Sequence, residues 1–240
     1  VAWVPLKTGL DGSEENIPSI WIDRRGFPYC AWVLSSGLRF ARFGGIGWEY
    51  LGDDSIAVSS GVSSLPTNPI CSDSIGHPRI VYYDSSDNLN HIWWDGEEWL
   101  SHGTGIVSES TIETATVLIR RDVEYVIYIK KSASSREIVI SKLSGEIWVN
   151  ISTKTISFQD SAADYLKAVF QARRLHILWS ASEENVQRVG VAIYDIGTDS
   201  WENVPEDRIE ASETSGEITG IDFEVEEEDY SSTSSSSSSF

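Results

Sequence analysis

The residues in this chain that could do chemistry are mainly carboxylates. Asp53, Asp54, Asp84, Asp87 and Glu109 stand in turn-rich stretches. Two such groups facing each other across a glycosidic bond, one protonated and one ionised, are what its hydrolysis requires. Gripping an acidic sugar would also take clustered guanidinium groups, and Arg136 is nearly alone in those stretches. His77, His91, His102 and His176 are scattered and show no metal-ligand spacing, so no metal is expected from them. No serine sits in a nucleophile elbow, and no glycine-rich loop opens a helix. Binding needs less: an aromatic platform flanked by a few polar groups. Tyr83, Trp94, Asp84 and Asp87 are the candidate ligand-binding residues on that basis. No cofactor is implied, although Asp84, Asp87 and Asn88 could hold Ca2+ without the alternation of a dedicated calcium loop.

The elements that must position these groups repeat. Asp95-Gly96-Glu97-Glu98-Trp99 is a tight turn running into a tryptophan. Its counterparts end at Trp48, Trp148 and Trp201, so the copies recur at roughly 50-residue intervals. Short alternating runs between turn residues predict four strands per unit. They cover residues 17–23, 29–34, 38–43 and 48–51, then 69–73, 79–84, 89–94 and 99–101. A third unit covers 114–119, 124–129, 138–142 and 148–151, and a fourth covers 165–170, 175–180, 189–194 and 201–204. Gly26-Phe27-Pro28 and Gly76-His77-Pro78 mark the same turn in the first two units, and Asp122 takes the glycine's place in the third. The second strands carry Trp32, Tyr82, Tyr128 and Trp179, each two residues after Cys30, Ile80, Val126 or Ile177. That spacing puts each pair on one face, as core between adjacent sheets. Asp23 and Asp73 fall at turns and read as turn-stabilising groups.

Composition narrows the class. A chain of 240 residues with 10 Trp, 9 Tyr and 7 Phe has the aromatic content for a substantial core. The formal net charge of −19 excludes nucleic acid as the expected partner, since phosphates call for Lys and Arg clusters. No apolar run reaches the length of a membrane-spanning helix. Cys30 and Cys71 lie in apolar runs and read as buried thiols rather than a disulfide. The chain lacks Met and a basic-then-apolar leader, and reads as a processed product or internal fragment.

The ends suggest closure. A strand at the N-terminus around Trp3 and another between Gly216 and Asp229 could share one split unit. The expected fold is therefore an all-β, five-bladed β-propeller over residues 1–229, with a serine-rich linker or tail over 230–240. The strand between Gly216 and Asp229 could instead pair with another copy, giving self-assembly.

These units resemble the blades of sialidase-like and lectin-like β-propellers of extracellular bacterial and phage proteins. The Asp-box of sialidase-type blades, Ser-x-Asp-x-Gly-x-Thr-Trp, is approximated by Asp195-Ile196-Gly197, with Trp201 one residue late, and by Asp95-Gly96, without the intervening residue. The resemblance implies a module on an extracellular or virion surface, binding a glycan or protein surface or assembling into a filament. Its alternative is a glycoside hydrolase of propeller fold. It also places ligands over the central channel, among loops covering 52–67, 101–113, 151–161 and 205–215 and hairpin ends at 35–37, 84–88, 130–136 and 181–187.

Overall fold

The computed structural model describes residues 18–34, 37–52, 56, 58, 61–102, 105–107, 111–132, 135–156, 163–183, 186–203 and 209–210. They form four antiparallel sheets, each a meander of four consecutive strands. The first contains β1 (Ser19–Ile22), β2 (Pro28–Leu34), β3 (Gly37–Phe43) and β4 (Trp48–Tyr50); the second, β5 (Ile70–Ser72), β6 (Pro78–Tyr83), β7 (Leu89–Trp94) and β8 (Trp99–Ser101). The third contains β9 (Ile112–Arg120), β10 (Val123–Lys131), β11 (Arg136–Ser144) and β12 (Ile147–Ile156). The fourth contains β13 (Ala163–Gln171), β14 (Arg174–Glu183), β15 (Val186–Asp195) and β16 (Ser200–Trp201), with β17 (Ile209–Glu210) also paired to β15.

The first strands of successive sheets are neighbours, β1 to β5, β5 to β9 and β9 to β13. A parallel bridge between Asn68 and Thr116 joins two of these sheets near their inner edges. The architecture is an all-β propeller, with four blades among the described residues where five were expected for the whole chain. The segments expected to make a split fifth blade, around Trp3 and between Gly216 and Asp229, lie outside the described residues, as does the serine-rich stretch. No helix among the described residues is long and apolar enough to cross a membrane.

Strand alternation gives each blade two apolar faces, and these make the core in layers. Tyr29, Ala31, Val33, Leu38 and Phe40 of the first blade pack on Ile70, Ile80, Tyr82 and Ile92 of the second. The opposite face of the second blade presents Cys71, Val81, Tyr83 and Leu89 to Val117, Val126, Tyr128 and Val139 of the third. Tyr125, Ile127, Ile129, Ile138 and Ile140 then meet Leu166, Leu175, Ile177, Trp179 and Tyr194 of the fourth. Trp32, Tyr82, Tyr128 and Trp179 are all buried, as core aromatics should be. Both cysteines are free and buried; burial raises the Cys30 thiol to about 11.

Turns recur with the blades. Asp23 Oδ1 accepts the backbone N–H groups of Arg25 and Phe27, at 2.9 and 2.8 Å, while Gly26 takes a φ of 83°. Asp73 Oδ1 does the same for Ile75 and His77, at 3.1 and 2.8 Å, with Gly76 at 89°. Asp23 and Asp73 are thus turn-stabilising. The third blade uses a two-residue turn in which Arg121 and Asp122 both have positive φ, 50° and 60°. That is the mirror-image turn whose twist suits a hairpin, and Asp tolerates it better than most side chains.

The repeated tryptophans fasten each blade to the one before it. Trp99 Nε1 donates to the Leu51 carbonyl at 2.7 Å, and its ring stands edge-on to Phe40 at 5.3 Å. Trp148 reaches back to His91 at 5.2 Å, and Trp201 Nε1 donates to Ser152 Oγ at 2.8 Å. Trp48 packs within its own blade, against Phe43 and the cluster formed by Cys30, Trp32 and Ala41.

Candidate functional site

Three of the four sheets line a cavity of about 400 Å3, through β1, β13 and the approach to β5. That lining places it at the centre of the propeller. Trp21 and Tyr165 supply aromatic surface, Ile20, Leu65, Pro66 and Ile70 supply apolar surface, and Ser19, Thr67 and Asn68 supply polar groups. The polar groups are held in place: Thr67 Oγ1 lies 2.8 Å from Thr114 Oγ1 and accepts the Leu166 N–H at 3.2 Å, and Asn68 Nδ2 donates to the Leu166 carbonyl at 2.6 Å. Trp21 is braced by Tyr29, with ring centroids 5.7 Å apart. No carboxylate belongs to the lining among the described residues.

The residues chosen from sequence are not gathered at this cavity. Tyr83 is buried in the layer between the second and third blades, and burial pushes its hydroxyl pKa up. Asp84 is buried at the end of β6, where Oδ1 accepts the Ser86 and Asn88 N–H groups at 2.8 and 3.0 Å. Its Oδ2 accepts from Asn88 Nδ2 and Asn90 Nδ2, both at 3.1 Å. Burial alone would raise the Asp84 pKa, but these bonds to the ionised form outweigh it and hold the pKa low. They also use the lone pairs that a calcium ion would need. Asp87 occupies a left-handed turn position at φ 60°. Trp94 lies at the other end of the hairpin, since Tyr83 pairs with Leu89 while Arg79 pairs with Trp93. The structure therefore brings Tyr83, Asp84 and Asp87 together without Trp94.

Other predicted groups are also committed elsewhere. Arg136 is buried, and its Nε donates to Glu113 Oε2 at 2.6 Å, so it is tied within the fold. The same carboxylate oxygen accepts the Ala163 N–H at 2.9 Å, which fixes the start of β13. Asp53, Asp54 and Glu109 lie outside the described residues.

Sequence reasoning missed two features. The cavity is built from Trp21, the 65–70 segment and Tyr165, which are remote in sequence and meet only through blade packing. The second is a cluster of His91, His102 and Glu124, whose potential ligand atoms all lie within 4.8 Å of one another. The histidines that read as scattered are cross-strand neighbours: β7 pairs with β8 through Trp94 and Trp99, Trp93 and Leu100, then Ile92 and Ser101. One further step in that register brings His102 beside His91. Burial lowers the pKa of both imidazoles, His91 especially, and so favours their neutral form.

No protein-family model matches the sequence, and neither does any curated protein. Likeness to solved structures is one of fold, the β-propeller. The Aleuria aurantia lectin AAL, solved as a mutant in complex with Fucα1-6GlcNAc, is similar at 18% identity, over 83% of this chain and 65% of that one, with a TM-score of 0.54. A mutant of the Bombyx mori GH32 beta-fructofuranosidase BmSUC1 in complex with sucrose is similar at 13% identity, over 78% and 48% of the two chains, with a TM-score of 0.51. Fructan 1-exohydrolase IIa from Cichorium intybus is similar at 11% identity, over 78% and 43%, with a TM-score of 0.50. The chain thus spans less than half the length of these two hydrolases and 65% of the lectin.

Proposed function

We propose that this chain is a carbohydrate-recognising propeller module, non-catalytic and serving attachment at an extracellular or virion surface. The observation that carries the reading is the central cavity, where Trp21 and Tyr165 stand beside fixed polar groups with no carboxylate in the described lining. Such a surface suits the apolar face of a sugar ring and its hydroxyls. Binding to a glycan array, followed by titration of the best glycan, tests it. Tyr165→Ala should weaken binding about 2- to 10-fold, the loss expected for one aromatic contact of roughly 0.5–1.5 kcal/mol. Unchanged affinity in a folded variant refutes this seat.

A second reading, glycoside hydrolysis, draws on the fold likeness to the two hydrolases. Of the carboxylates the sequence offers for it, Asp53, Asp54 and Glu109 are the first to test, since Asp84 is tied to its own turn. Release of reducing sugar by the full chain, abolished by Asp53→Asn, Asp54→Asn or Glu109→Gln, would establish this reading and displace the non-catalytic one.

The five-bladed form belongs to the same proposal. Ile20 and Ile22 of β1 are 67% and 62% exposed, and Trp48 faces no earlier blade among the described residues. A split blade made from the Trp3 segment and the strand between Gly216 and Asp229 would cover them. Deleting 216–229 should then unfold the protein. A folded monomer that has lost the ability to polymerise would identify the strand as donated to another copy.

A further inference from the structure

We propose that His91, His102 and Glu124 bind a divalent transition-metal ion of the Zn2+ class at the seam between the second and third blades. His91 projects from β7, His102 follows β8 directly, and Glu124 projects from β10 toward the same seam as Val126 and Tyr128. Two imidazoles and one carboxylate form a donor set that Zn2+ accepts, leaving one position of a tetrahedron for water.

Three observations point to an ion rather than to an ordinary buried ion pair. His91 is buried, yet neither of its ring nitrogens has a hydrogen bond, and the buried Glu124 Oε2 has none either. Unpaired polar atoms at such depth call for an explanation, and here those of two residues converge on one cluster, as a shared ion would require. His91 Nε2 lies 3.1 Å from Glu124 Oε2 without the alignment of a hydrogen bond. Ligands sharing one tetrahedral zinc at roughly 2.0–2.2 Å sit about 3.4 Å apart, close to that separation. The other carboxylate oxygen is already oriented: Arg79 Nε donates to Glu124 Oε1 at 2.5 Å, and Arg79 is itself paired with Asp73 at 3.3 Å. This is how an outer layer of hydrogen bonds aims a ligand oxygen at a metal. Stacking of His102 on Trp93, with centroids 4.1 Å apart, restrains the remaining imidazole.

The ion would add a further link between two blades already joined by apolar contacts, the Arg79 to Glu124 bridge and the packing of Trp148 on His91. Its test is calorimetric titration of the full chain with ZnCl2, with excess Mg2+ present to occupy exposed carboxylates. One equivalent of Zn2+ should bind. His102→Ala, at a half-buried position, and Glu124→Gln should each weaken binding by about 100-fold or more, beyond the loss typical of outer-layer changes. His176→Ala, on β14 of the fourth blade, should leave it unaltered. Zn2+ should also raise the thermal midpoint of the wild type and not that of His102→Ala. Absence of stoichiometric binding, or equal binding by folded His102→Ala, overturns the proposal. So does loss of binding in folded His176→Ala.

Discussion

Gly190 offers a sharp test of how the blades pack. It pairs with Trp179 across β14 and β15, and a Cβ added there would lie 2.2 Å from Trp179 Cζ2 and 2.3 Å from Cε2. Those are rigid ring atoms of a side chain buried in the layer between the third and fourth blades, so the indole must move by more than an ångström. Overpacking of this kind costs about 1–3 kcal/mol, and the size of the clash puts Gly190→Ala near the upper end. Removing a strand glycine returns about 0.5–1 kcal/mol of backbone entropy. The net expectation is a loss of about 2 kcal/mol, or roughly 4–8 °C in thermal midpoint for a domain of this size. Urea unfolding followed by tryptophan fluorescence should show a lower midpoint with an unchanged slope. In a Trp179→Phe background, which lacks the clashing atoms, the same substitution should cost less, giving a measurable coupling energy. A neutral Gly190→Ala, or strict additivity in the double variant, would refute the packing argument.

Acid should destabilise the protein through its turns. For Asp23, burial opposes ionisation, but bonds from Phe27 and Arg25 outweigh it and lower the pKa; Asp195 is lowered in the same way by Gly197, Thr198 and Arg173. Carboxyls with depressed folded values contribute fully above their unfolded pKa, about 3.9, and that contribution disappears as pH falls through the folded values. The urea midpoint should therefore decline below about pH 4, and Asp23→Asn should flatten the decline. Trp99→Phe, which removes the bond to Leu51, should cost about 1 kcal/mol in the same assay; no change would mean that the ring's packing alone holds the joint.

Much of the fold was legible because turn chemistry and strand alternation agreed in each unit. Residues 89–94 and 99–101, for example, are the strands observed as β7 and β8. The strands of the third blade and the first three of the fourth are longer than their apolar runs suggested, whereas β16 has two residues where four were expected. β12 continues through Ser152-Thr153-Lys154-Thr155 to Ile156, where an outer strand needs little apolar content and a polar run resembles a loop. The pairing of His91 with His102 was recoverable from the register imposed by the Asp95-Gly96 turn. Glu124 was not, because its place beside them depends on how one blade rotates against the next. The central cavity was hidden for the same reason, since Trp21 and Tyr165 belong to different blades.

The tryptophan joints have a consequence for how such a chain can vary. Trp99 and Trp201 each carry, within their own unit, the donor that grips the unit before, while the acceptors are a main-chain carbonyl and a serine hydroxyl. A backbone acceptor is present whatever the neighbouring side chain becomes. A duplicated unit of this kind arrives with its own fastener and asks little of its new neighbour, so the number of units can change faster than the joint that links them.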